Sequence, residues 1–123
     1  MAEDNGYHKR LQVRQKVEDM IDFASPFLRQ FPRVERLLAK TIEMEMYNLL
    51  RLCVTAESGY KFKTTVQEID VSQKAIQCYI RVAKVRKILP MKHYESWSEY
   101  LTNIGQMVGG LLKAVSQPTQ HRG

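Results

Sequence analysis

The chain has 123 residues, enough for one domain, and its 44% apolar and 26% charged content with only four prolines and six glycines excludes collagenous and low-complexity readings. Nineteen Lys and Arg against thirteen Asp and Glu leave a net charge of +6, which points toward anionic partners without choosing among them. No stretch approaches the ~18–20 consecutive apolar residues of a membrane span, so a soluble chain is expected.

Helical periodicity then organises the sequence from residue 9 onward, after a flexible start over 1–8. A first helix over about 9–30 aligns Val13, Val17, Met20, Ala24, Phe27 and Phe31 at steps of three and four. Pro26 interrupts it, removing an amide and crowding the Asp22 carbonyl, so a kink or restart is expected there. Pro32 marks the next boundary, because a residue before proline avoids the helical region while proline suits a first turn. The second helix, about 33–57, turns Val34, Leu38, Ile42, Leu49, Cys53 and Ala56 inward, and Gly59 is placed to end it in the left-handed conformation.

Thr65-Val66-Gln67-Glu68 has the form of a capping box and opens a third helix over about 66–89. Val71, Ala75, Cys78, Val82, Val85 and Leu89 follow a 4-3-4-3-4 spacing, expected to be its packed seam. Pro90 closes it. The fourth helix, about 93–116, carries Trp97, Leu101, Ile104, Val108, Leu111 and Val115 in the same rhythm, and the polar tail 117–123 is expected to be flexible. Four amphipathic segments with short connections predict an all-α, up-down-up-down antiparallel four-helix bundle.

Catalytic chemistry has few residues to stand on. No Glu has a His three residues later, as a di-metal bundle would need, and neither a phosphate loop nor an HExxH helix is present. His8, His93 and His121 are scattered at element ends or in the tail, so no metal and no cofactor is expected. Glu43 and Glu45 lie two apart on one helix, on different faces, and cannot act as an acid and base pair. Cys53 and Cys78 read as small core residues, with no CxxC pair and no activating His in the same region. The opening Met1-Ala2-Glu3-Asp4-Asn5-Gly6 lacks the basic and apolar stretches of a secretory signal, and the expected location is the cytoplasm.

Charge is distributed unevenly. Between Val71 and Tyr94 stand Lys74, Arg81, Lys84, Arg86, Lys87 and Lys92 with no acid, matching the whole chain's net charge. Lys74, Arg81 and Lys84 share a helix face, and a smaller cluster, Lys9, Arg10, Arg14 and Lys16, opens the first helix. Such a stripe suits a polyphosphate backbone, whose binding would be salt-dependent and indifferent to base identity. Tyr79 lies near the stripe in sequence, but no ordered aromatic platform for stacking bases is evident. Gly105, Gly109 and Gly110 inside the fourth helix each cost about 1 kcal/mol relative to alanine, and a close approach by another helix or subunit would explain them.

Three stretches in order resemble a known family. Phe31-Pro32-Arg33-Val34-Glu35-Arg36 with Leu38-Ala39 is similar to the FPxxER-type opening of a second helix, and Ile80-Arg81-Val82-Ala83-Lys84 to a basic third-helix stretch. Residues 104–113 resemble a closing IGRMLGGWLK pattern, with Gln106 and Leu111 where Arg and Trp are usual. These motifs belong to the four-helix-bundle family that unites accessory variability determinant (Avd) proteins of diversity-generating retroelements with proteins of ribosomal intervening sequences. Ala56-Glu57-Ser58-Gly59 keeps only a trace of the NxAEG element of the intervening-sequence branch, which favours the retroelement branch.

The resemblance implies a non-catalytic partner of a reverse transcriptase, bacterial or phage-encoded. It implies a homopentameric barrel that binds template RNA or an RNA/DNA hybrid and supports mutagenic cDNA synthesis, mutagenic retrohoming, which diversifies a target gene. Arg81 matches the family's basic third-helix position, whereas Lys74, Lys84, Arg86, Lys87, Arg10 and Arg14 come from the charge pattern. The competing reading is a structural helical interaction module of the intervening-sequence type, without a role in reverse transcription.

Overall fold

The structure is a computed structural model that describes the backbone of residues 2–116 and the side chains of residues 9–115. Four helices follow one another: α1 (Ala2–Arg29), α2 (Arg36–Ser58), α3 (Phe62–Val85) and α4 (Met91–Ser116). Contacts run α1–α2, α2–α3, α3–α4 and α4–α1, which is the cyclic order of a four-helix bundle with short loops. No strand occurs among the described residues, and no described helix is long and apolar enough to cross a membrane. The tail 117–123, with His121, lies outside the described residues, as does the side chain of His8.

Element ends follow local chemistry. α1 begins at Ala2 rather than at residue 9, because the preceding stretch holds no proline and a single glycine, Gly6. It also runs through Pro26 without restarting; the carbonyl that loses its amide partner belongs to Asp22, an exposed residue beside solvent. Pro32 is extended (φ −58°, ψ 153°) and leads into a 3-10 turn, Arg33–Glu35, before α2 starts at Arg36. Gly59 ends α2 in the left-handed region (φ 83°), its amide donating to the Ala56 carbonyl at 3.0 Å.

The capping box at Thr65 does not form. α3 starts earlier, at Phe62, with Lys61 in the left-handed region (φ 43°), and the Thr65 hydroxyl donates to the Tyr60 carbonyl at 3.1 Å. α3 also stops at Val85 instead of 89. Lys87 turns left-handed (φ 62°), and the Ile88 and Leu89 amides both fold back onto the Ala83 carbonyl.

The core is one continuous cluster centred on the fully buried Trp97, Met20, Ile42, Met46, Leu49, Ile69, Ile76 and Ile104. The expected faces of α1 and α4 hold, with Phe27 half-buried and stacked on His93 at 4.0 Å between ring centroids. α2 buries Ala39, Met46 and Leu52 in addition to Ile42, Leu49, Cys53 and Ala56, while Val34 points outward and is 87% exposed. Leu38 stays half-buried against the core.

α3 departs most from the expectation. Its buried face is Thr65, Val66, Ile69, Ser72, Gln73, Ile76, Ile80 and Ala83. The valine ladder lies outside, with Val71 at 66% and Val85 at 69% exposure, and with Val82 and Cys78 also exposed. Polar side chains are admitted inward because partners receive them. Ser72 donates to the Glu45 carboxylate of α2 at 2.6 Å, which also explains why Glu45 interrupts the apolar pattern of its own helix. Gln73 packs beside Gly105 of α4, where a Cβ would meet its amide at 3.4 Å, an ordinary contact distance. Gly105 thus faces a neighbouring side chain rather than a backbone, whereas Gly109 and Gly110 face open space within the protomer.

Candidate nucleic-acid interface

Helical spacing puts Lys74, Arg81 and Lys84 on the α4 side of α3, since residues seven and three apart share a face. The structure divides the basic candidates by what each one meets. Lys74 Nζ sits 3.0 Å from Asp70 Oδ2, one helical turn earlier. Arg86 Nη1 reaches Glu35 Oε1 at 2.8 Å, tying the end of α3 to the turn before α2. The acid-free window from Val71 therefore opens one residue past the acid that compensates Lys74, and Glu35 reaches Arg86 across the fold. The i, i+4 spacing of Asp70 and Lys74 is a sequence signal for the first pair. The second pair has none.

The α1 cluster has a structural use. Arg14 is half-buried, bonds the Glu57 carboxylate of α2 through Nε and reaches Glu18 through Nη1 at 2.8 Å. Its pKa is raised, chiefly by the hydrogen bond with Glu57 and next by that with Glu18. Arg10 lies over the Phe62 ring at 4.4 Å, where its guanidinium packs rather than projects. Lys16 stands 5.8 Å from the Tyr100 ring centroid.

Arg81 and Lys84 differ from these. Neither forms an ion pair with a carboxylate among the described residues, and both meet Tyr94 of α4 instead. Lys84 Nζ is 4.6 Å from the Tyr94 ring centroid, and the Arg81 charge acts on the Tyr94 hydroxyl. Burial pushes the Tyr94 hydroxyl up, but the polar and charged surroundings of Arg81, Ser98 and Lys84 outweigh it and hold the phenol below its ordinary pKa. Gln77 Nε2 completes the group, donating to Ser98 Oγ at 3.1 Å and approaching Tyr94 Oη at 3.5 Å. Lys87 and Lys92 are exposed at the α3–α4 turn, close in sequence to this group. No sequence motif marks Tyr94, Gln77 or Ser98: Gln77 lies one turn before Arg81 on α3, and the turn between α3 and α4 brings Tyr94 and Ser98 to the same edge.

Two other features bear on what the surface can do. Tyr79 is half-buried on the α2 side, beside Leu38 and Val82, and so lies away from Arg81. On that side an apolar strip crosses α2 and α3 through Val34, Leu37, Val82 and Val71. Leu37 is 80% exposed.

Cys53 is buried, and its thiol is pushed up to about 12, mainly by desolvation and next by Glu57. A thiol held so firmly protonated is a poor nucleophile. Cys78, expected in the core, lies instead on the outer valine ladder.

No curated protein matches the chain. The model of the bAvd-like family matches residues 11–115, nearly the whole bundle, and the chain belongs to this family, the Avd-like proteins of diversity-generating retroelements.

Proposed function

We propose that this protein is a non-catalytic accessory subunit of a retroelement reverse transcriptase, binding template RNA or its hybrid with cDNA through the basic edge of α3. Membership of the bAvd-like family supports the accessory role. The observation that carries the binding role is that Arg81 and Lys84 converge on one neutral side chain and keep their charge uncompensated by carboxylates. Two such cations, with Lys87 and Lys92 nearby, would neutralise phosphates and release their counterions. The contact is sequence-independent, as suits a subunit that must hold a template while any of its bases is copied.

Assembly into a homopentameric barrel belongs to the same reading. The apolar strip of α2 and α3 supplies surface that a second copy could cover, and a ring would repeat the basic edge around its circumference. Avidity would then raise affinity above that of one edge. Location in the cytoplasm of a bacterial host follows from the same role.

The test is charge reversal. R81E/K84E should weaken binding of a generic single-stranded RNA by at least roughly tenfold at moderate salt, with the helical signal retained. Unchanged binding would remove this edge from the account. The apolar strip favours a second reading, a structural interaction module that docks protein surfaces alone, and absence of RNA binding even at low salt would select it.

A further inference from the structure

Two glutamines one helical turn apart on α3 meet different surroundings. Gln77 Nε2 donates to Ser98 Oγ of α4 at 3.1 Å. Gln73 is only 7% exposed, yet its Nε2 reaches Asp70 Oδ1 only at 3.5 Å, the outer limit of a hydrogen bond. Its Oε1 accepts no hydrogen bond among the described residues. Asp70 is engaged more closely by Lys74, at 3.0 Å. Side-chain polar atoms this deeply buried nearly always have a firm partner. The Gln73 amide instead lines a depression of about 440 Å³ between α3 and α4. Lys74 and Arg81 flank it on one side, Thr102 and Gly105 on the other. Arg81 stands two turns beyond Gln73, and helical side chains lean toward the N-terminus, which carries its guanidinium back over this depression.

We propose that this depression seats one sugar–phosphate unit of an RNA strand, its phosphate on Arg81 and its ribose 2′-hydroxyl donating to Gln73 Oε1. The inference rests on the nucleic-acid reading and deepens it, from attraction by charge to a preference for RNA over DNA. Each contact has its own chemistry. Asp70 answers the charge of Lys74, whereas Arg81 has no carboxylate partner among the described residues and keeps its charge for the ligand. A guanidinium holds phosphate oxygens through charge-assisted bonds. A buried carbonyl oxygen without a donor favours a ligand that brings one. The 2′-hydroxyl is that donor, and it is the group by which a protein tells RNA from DNA. The volume falls within the ~300–1,000 Å³ of small-ligand sites, which suits a single nucleotide.

The two contacts can be separated by ligand and by variant. The full-length protein is titrated with a uridine-free single-stranded RNA, the DNA of the same sequence and the 2′-O-methyl RNA. Wild type should bind the RNA roughly three- to tenfold more tightly than the DNA. The 2′-O-methyl RNA should bind like the DNA, because its 2′ oxygen has no proton to donate. Q73M keeps the length of the side chain without the acceptor; it should lose the preference while binding DNA as wild type does. R81A should weaken RNA and DNA alike. The ligand series on the wild-type protein decides the matter even if Q73M fails to fold. Equal affinity of the wild type for RNA and DNA would overturn the inference, as would a preference shared by the 2′-O-methyl RNA or kept by Q73M. So would undiminished binding of both strands by R81A. A wild-type protein that binds none of the three at low salt would overturn the nucleic-acid reading itself.

Discussion

α3 carries two apolar stripes of nearly the same periodicity, and the bundle uses only one of them. The inner stripe, Val66, Ile69, Ile76, Ile80 and Ala83, is buried almost completely, yet Thr65, Ser72 and Gln73 interrupt it. The outer stripe, Val71, Ala75, Cys78, Val82 and Val85, is the more regular and the more valine-rich, yet it faces away from the core. Spacing establishes that a helix has a sticky face; it does not say whether its own chain covers that face. Here the inner stripe accepts its polar members because Glu45 satisfies Ser72 and Gln73 packs beside Gly105. The purely apolar stripe is left outside the core.

Substitutions sharpen this contrast, and the largest effect belongs to the inner face. Ile76 is fully buried, and I76D would place an unpaired charge in the core at a cost of several kcal/mol, against a total stability of about 5–15 kcal/mol. Loss of cooperative thermal unfolding by circular dichroism is expected. V71D/V85D makes the same chemical change on the outer face. It should leave the helical signal and the melting transition nearly intact, while light scattering reports a drop from an oligomer toward the 14.4 kDa protomer. A wild-type protein that is already monomeric at micromolar concentration would break the argument from the outer face.

The cysteines give a smaller and more local reading of the same contrast. Cys78, on the outer stripe, should react with iodoacetamide in a protein dissociated into protomers, whereas Cys53 should react only on unfolding. Mass spectrometry of the labelled native protein checks both sites. Protection of Cys78 in the assembled protein, relieved in V71D/V85D, would place the outer stripe within the contact between copies.

Much of the architecture could be read from residue order. Pro32, Gly59 and Pro90 punctuate the four helices, and the Trp97-to-Leu111 rhythm names the inner face of α4 correctly. The inner face of α3 was hidden because its polar members look like surface residues until their partners on α2 and α4 are in view. The basic edge was half legible for a similar reason. Composition shows an excess of cations between residues 71 and 94, but ion pairing is settled by neighbours outside that window, Asp70 for Lys74 and Glu35 for Arg86. Among the four cations left without a carboxylate, Arg81 and Lys84 stand out only once α4 brings Tyr94 near them.

The central claim is that the α3 edge grips an anionic strand by its charge. The most direct measurement compares the salt dependence of RNA affinity in the wild-type protein and in R81E/K84E. Affinity of the wild type should fall linearly on logarithmic axes as salt rises, by roughly 0.7 in slope for each phosphate neutralised on a single strand, and the variant's slope should be shallower by about two phosphates' worth. Superimposable lines for the two proteins would contradict the account.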